Sequence, residues 1–150
     1  MKVKLVLSAF VLILCATAAS TQTLTEETSF KSITLGFNKD ITFDKVIDYL
    51  QTSDFFIQSV DKQAGFIQAT IFLKEKKKLL SAKEGEKRTL NFLIRPIDDG
   101  TRVVLNIYSE TRYFGGDIST RTYFYEDNGI LDDEAIYREI LASLQKAVAS

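Results

Sequence analysis

Ile33, Leu35 and Phe37 alternate with Ser32, Thr34 and Gly36, and this period of two predicts a half-buried strand within residues 30–38. Asn38-Lys39-Asp40 breaks it, and Thr42 is then placed to cap a helix. Phe43, Val46, Ile47 and Leu50 fall at i, i+3, i+4 and i+7, one apolar stripe, with Asp44 in the first turn and Thr52-Ser53-Asp54 at the end. Two strands follow over 55–60 and 66–73, joined by a turn whose Gly65 can take a positive φ. In the second, Ile67, Ala69, Ile71 and Leu73 share one face, while Phe66 and Phe72 on the other predict partial cover there too.

Residues 74–87 are the most polar stretch, expected to extend the strand and then connect, with Leu79 and Leu80 tucked in by one short turn. The strand over 88–97 points Leu90, Phe92 and Ile94 inward, and Asp98-Asp99-Gly100 is a hairpin turn. Residues 101–112 return with Val103, Leu105 and Ile107 on one face. A turn at Tyr113-Phe114-Gly115-Gly116-Asp117 leads into a last strand over 119–125, and Asp127-Asn128-Gly129 is read as the end of the sheet. Asp132 or Asp133 then caps a terminal helix in which Ile136, Ile140, Leu144 and Val148 recur every four residues, flanked by Tyr137 and Leu141.

The order is β-α-β-β-β-β-β-α, an α+β fold with a single, mainly antiparallel sheet of about six strands. Both amphipathic helices must bury their stripes on one face of it. The alternative is a helix-grip layout, with the sheet curved around the terminal helix and a cavity between.

The N-terminus changes the picture. A basic start (Lys2, Lys4), an apolar run from Leu5 to Leu14 and the small residues Ala16, Ala18, Ala19 and Ser20 have the order of a secretory signal peptide. Residues 1–20 are read as that signal, cleaved near Ala18 to Ser20, 21–29 as a flexible leader and 30–150 as one domain, secreted or periplasmic. Cys15 after the apolar run suggests an outer-membrane lipoprotein as the alternative, although Leu14 stands where that motif carries a small residue. Contact with a membrane is expected only if Cys15 is lipidated; its removal leaves a chain without cysteine and hence without disulfides. Of the 19 Lys and Arg, two lie in the signal, against none of the 20 acids, so the remaining chain carries a net charge near −3 and no nucleic-acid partner is expected.

The chain has no histidine, which removes the Ser-His-Asp and Cys-His mechanisms and the usual zinc sites. Turn chemistry accounts for Asp98 and Asp99, and helix capping for Asp132, Asp133 and Glu134. Glu126-Asp127-Asn128-Gly129 lacks the spaced ligands of a calcium loop, and acids dilute the run Lys74, Lys76, Lys77, Lys78 into a solvated edge. No catalytic residue, metal or cofactor is assigned. The suggestive region is the aromatic hairpin, where Tyr108, Arg112, Tyr113, Arg121, Tyr123 and Tyr125 combine the residue types enriched in binding hot spots. The same residues also serve as ordinary cross-strand pairs.

The runs Phe43-Asp-Lys-Val-Ile-Asp-Tyr-Leu50, Phe56-Ile-Gln-Ser-Val-Asp61 and Gly65-Phe-Ile-Gln-Ala-Thr70 resemble the repeated domain of the BamC outer-membrane assembly lipoproteins and small secreted bacterial proteins with TBP-like folds. The resemblance covers about half of the chain beyond the signal and lies in core positions. It implies an envelope protein and carries no catalytic residue. The expectation is an exported, non-enzymatic binding or scaffold module of the bacterial envelope, its partner another envelope or extracellular protein. The alternative is a carrier of a small apolar ligand, held between the sheet and the C-terminal helix.

Overall fold

The computed structural model describes residues 29–75, 82–115, 119 and 122–149. The expected signal peptide with Cys15, the leader before Ser29, Lys76 to Lys78, Leu79, Leu80, Gly116, Asp117 and Arg121 lie outside the described residues. The elements are β1 (Ser32–Leu35), α1 (Lys39–Thr52), β2 (Phe56–Asp61), β3 (Phe66–Lys74), β4 (Lys83–Ile97), β5 (Gly100–Phe114), β6 (Tyr123–Ile130) and α2 (Glu134–Ala149). All strand pairs are antiparallel and form one open sheet, β2-β3-β4-β5, with β1 and β6 both hydrogen-bonded to β5. Both helices bury their stripes against the same sheet face, so the α+β class and the element order are as the periodicity predicts.

Alternation sorts the central strands cleanly. Ile67 and Ala69 of β3, Leu90, Phe92 and Ile94 of β4, and Val103, Leu105 and Ile107 of β5 are fully buried under the helices. From α1 come Phe43, Val46 and Leu50, and from α2 come Tyr137, Leu141, Leu144 and Val148. Ile136 and Ile140, expected at the centre of the terminal stripe, are only partly buried at its flank. The helices also join each other: Lys45 Nζ donates to the Val148 carbonyl at 2.9 Å, where a cation meets the negative end of α2.

Three expectations are corrected. First, α1 begins earlier than the Thr42 cap. Asn38 holds an extended conformation and its Oδ1 accepts from the Ile41 N–H at 2.9 Å. A short amide side chain there satisfies an open first-turn donor, so Asp40 rather than Asp44 occupies the first turn, and Thr42 falls inside the helix. Asp44 instead pairs with Lys62 at 2.9 Å. Second, β4 begins at Lys83 rather than 88, because Gly85 pairs with both Lys74 and Arg112 and the polar run is drawn into the sheet. Third, the last strand is Tyr123–Ile130, so Tyr113 and Phe114 belong to β5, and Asp127-Asn128-Gly129 lies within β6 instead of ending the sheet. Gly129, at φ 78°, takes up a bulge in the β5–β6 register, and pairing continues to Ile130 opposite Tyr108.

The shared edge of β5 carries the joint of the fold. β1 pairs with β5 at Thr101 to Val104, and β6 pairs with it from Tyr108 onward. Leu105 N–H reaches the Lys31 carbonyl at 2.8 Å, but the Ile107 N–H lies between the two strands. The Tyr137 hydroxyl fills the gap: it accepts from the Ile107 N–H at 3.1 Å and donates to the Leu131 carbonyl at 3.1 Å. Leu131 N–H closes the ring by donating to the Ile107 carbonyl at 2.8 Å. The Phe30 and Tyr137 rings pack edge to face, 5.3 Å between centroids.

Two variants test this packing. Tyr137→Phe keeps the ring but strands a buried N–H and a carbonyl, and should lower the unfolding free energy by about 1–3 kcal/mol in urea titration. Thr42 is fully buried and its Oγ1 has no hydrogen-bond partner among the described residues, so Thr42→Val should raise stability by about 1 kcal/mol; a loss of that size would show that the hydroxyl is satisfied.

Candidate functional site

The β4–β5 hairpin outruns its apolar cover. Its buried apolar residues stop at Leu90 and Ile107, and the helix-side face continues with Arg88, Glu86, Ser109 and Thr111. Arg88 grips Glu86 with Nε to Oε1 at 2.7 Å and Nη2 to Oε2 at 3.1 Å. Ser109 Oγ donates to Glu86 Oε1 at 2.8 Å, and Asn128 Nδ2 donates to Ser109 Oγ at 3.0 Å and to Thr111 Oγ1 at 2.9 Å. The hydrogen bond from Arg88 is the largest reason that the Glu86 carboxyl sits below its ordinary range; burial opposes it. Ser109 is 2% exposed, so this network seals the sheet rather than presenting a nucleophile.

Among the described residues, no helix covers the opposite face. By alternation it presents Tyr108, Glu110 and Arg112 of β5, Thr70 and Phe72 of β3, Lys87 of β4, and Tyr123, Tyr125 and Asp127 of β6. Arg112 is the hub. Its guanidinium carbon lies 3.9 Å from the Phe72 ring centroid and 4.7 Å from that of Tyr123, and its Nη2 is 3.6 Å from Glu84. Lys87 Nζ pairs with Glu110 at 2.8 Å and lies 5.6 Å from the Tyr125 ring centroid. The Tyr108 phenol is raised from its ordinary value chiefly by donating to Asp127, and Asp127 is lowered by the same bond and by the Gly129 N–H at 2.6 Å. A cleft of about 300 Å³ runs between Phe56, Phe72, Lys87, Arg112 and Tyr125.

Of the residues expected from the sequence, Tyr108, Arg112, Tyr123 and Tyr125 therefore share one face. Tyr113 does not: its parity puts it on the helix side, where it stacks on Phe124 at 5.2 Å and 14° and hydrogen-bonds to Glu126. Arg121 lies outside the described residues. Phe56, Phe72 and Lys87 are not among the site residues the sequence predicts. The parity of Phe66 and Phe72 announces an aromatic on the open face, but only the β3–β4–β5 register brings Phe72 and Lys87 to Arg112. Phe56 leaves 70% of its surface exposed at the other rim.

A second groove, of about 470 Å³, runs between β1 and α2, walled by Phe30, Ile33 and Leu141 with Arg138 at its edge. Among the described residues, no helix is long and apolar enough to cross a membrane, and no three acidic side chains converge as a metal site requires. No family model matches the chain, and no curated protein matches it significantly.

The Glu86 network gives a pH prediction. A carboxyl whose folded pKa lies below the unfolded value contributes stability that is complete above about pH 4.5 and is lost as the pH falls through the folded value. Urea titrations from about pH 6 to about pH 3 should show this acid-side loss, and Glu86→Gln should flatten it. An unchanged slope in that variant would remove Glu86 from the account.

Proposed function

We propose that the protein is an exported, non-enzymatic binding module, and that its contact surface is the open sheet face around Arg112. The observation that carries this reading is the aromatic and cationic cluster Phe72–Arg112–Tyr123 beside the half-exposed Tyr125 and the exposed Phe56. Planar rings that hold a guanidinium in place offer a rigid, amphipathic surface that loses little side-chain entropy on contact. Lys87 and Arg112 are each matched by a carboxylate, so the surface suits a partner of mixed polar and aromatic character better than a strongly charged polymer. A protein partner outside the cytoplasm fits the signal read in residues 1–20.

A carrier of a small apolar ligand is the second reading, favoured by the groove between β1 and α2. Its site would be that open groove, because Tyr137, Leu141 and Leu144 fill the space beneath α2. Native mass spectrometry of protein purified without detergent distinguishes it by a co-purifying small molecule, which Leu141→Trp should displace.

For the leading reading, the double variant Tyr108→Ala, Arg112→Gln should reduce partner capture from an envelope extract at least about tenfold, the loss of roughly one hot-spot contact. Arg138→Gln, on the exposed side of α2, should leave capture unchanged. Equal capture by both variants, with unaltered far-ultraviolet circular dichroism, would reject the open face as the contact surface.

A further inference from the structure

The outer edge of β6 is the other unspent feature of this hairpin. Sheet edges are commonly blunted by shortness, bulges, proline or lysine. β1 has four residues, and β2 is broken by a register shift between Ile57 and Ser59. β6 has its bulge at Gly129, which leaves Tyr123-Phe124-Tyr125 as a regular edge with no proline or lysine, and these residues are 40%, 54% and 48% exposed.

The hydrogen-bond phase of that edge follows from the ladder. Gly115 N–H donates to the Thr122 carbonyl at 2.8 Å, so Thr122 faces β5, and with it, two and four residues on, Phe124 and Glu126. The backbone groups of Tyr123, Tyr125 and Asp127 therefore face outward. We propose that β6 pairs antiparallel with β6 of a second copy of this chain, about a two-fold axis at Phe124.

The register is selected by side-chain chemistry. Only registers that set outward residues opposite outward residues can hydrogen-bond. With the axis at Phe124, Tyr123 of each copy faces Tyr125 of the other, and Phe124 faces its own counterpart in the non-hydrogen-bonded position where side chains come closest. Moving the axis to Tyr125 sets Tyr123 against Asp127 and Phe124 against Glu126. Moving it to Glu126 sets carboxylate against carboxylate, which is repulsive. The axis at Phe124 places Glu126 opposite the uncharged Thr122, so the aromatic block is self-complementary and the acids are not opposed. The interface is isologous, as a closed dimer requires, and it joins the two sheets edge to edge with their open faces on one side.

This proposal goes beyond the binding reading and rests on the outward backbone groups of β6; its readout is self-association, whereas that of the binding reading is capture of another protein, so the two fail separately. Sedimentation equilibrium of the purified protein, from micromolar to millimolar concentration, should show the mass rising toward twice that of one chain. Tyr125→Pro removes an outward N–H and leaves the β5–β6 ladder intact; it should weaken self-association at least about tenfold, the equivalent of one net hydrogen bond. Phe124→Lys sets like charges face to face on the axis and should weaken it as much. Unchanged circular dichroism would show that both variants remain folded. A wild-type protein that stays monomeric throughout overturns the proposal, as does a dimer that either variant leaves intact.

Discussion

The fold turns on a single hydroxyl. β5 offers one of its edges to two strands from opposite ends of the domain, β1 and β6, and neither reaches the Ile107 N–H. A backbone donor beneath a fully packed helix has no water to turn to, and leaving it unpaired costs about 1–3 kcal/mol. Tyr137, itself fully buried, supplies the missing acceptor and passes its own proton to Leu131. The same contact fixes α2 against the sheet, sets the start of the chain's run from β6 into that helix, and holds Phe30 ahead of β1. A ring that fills the core and a hydroxyl that completes a ladder are two demands met by one residue type.

From that joint the sheet divides into two regions with different chemistry. Near the Asp98–Gly100 turn both helices cover it, and alternation drives apolar side chains inward. Toward Phe114 the cover ends, and the inward positions change from Leu90 and Ile107 to Arg88, Glu86, Ser109 and Thr111. Each buried polar atom then needs a partner, and Arg88, Glu86, Ser109 and Asn128 satisfy one another. Sealing the helix-side face in this way leaves the other face of the hairpin, and the edge of the neighbouring β6, as places where aromatic rings meet solvent. The proposed contacts both lie there because the hairpin is longer than the helices that cover it.

Much of this was legible in the sequence wherever a residue's burial depends only on its own strand or helix. The periods of two in β3, β4 and β5 and the stripe Phe43, Val46, Leu50 fixed the face of each element, and Tyr108 and Arg112 followed by parity; Tyr123 and Tyr125 were legible by residue type alone, and the β5–β6 register sets their face. What depends on a neighbouring strand was not legible. Asp127-Asn128-Gly129 has the composition of a terminal turn, yet it continues β6, because the Asn128 amide spans Ser109 and Thr111 while Gly129 absorbs the bulge. Tyr113 has the composition of a turn residue among the other aromatics, yet β5 runs on to Phe114 and its parity sets Tyr113 on the opposite face. The helical period of α2 marked Tyr137 as apolar cover and gave no sign of its place in the sheet, which only the two-strand edge of β5 creates.

Native-state hydrogen exchange at the Ile107 amide tests this account most directly. In the wild-type protein that amide should exchange only through global unfolding, as slowly as those of Leu105 and Phe92. In Tyr137→Phe it should exchange faster than they do, through local opening, while they follow the lowered global stability. An Ile107 amide that exchanges rapidly in the wild type, or that keeps full protection without the hydroxyl, would contradict the claim that Tyr137 completes the sheet.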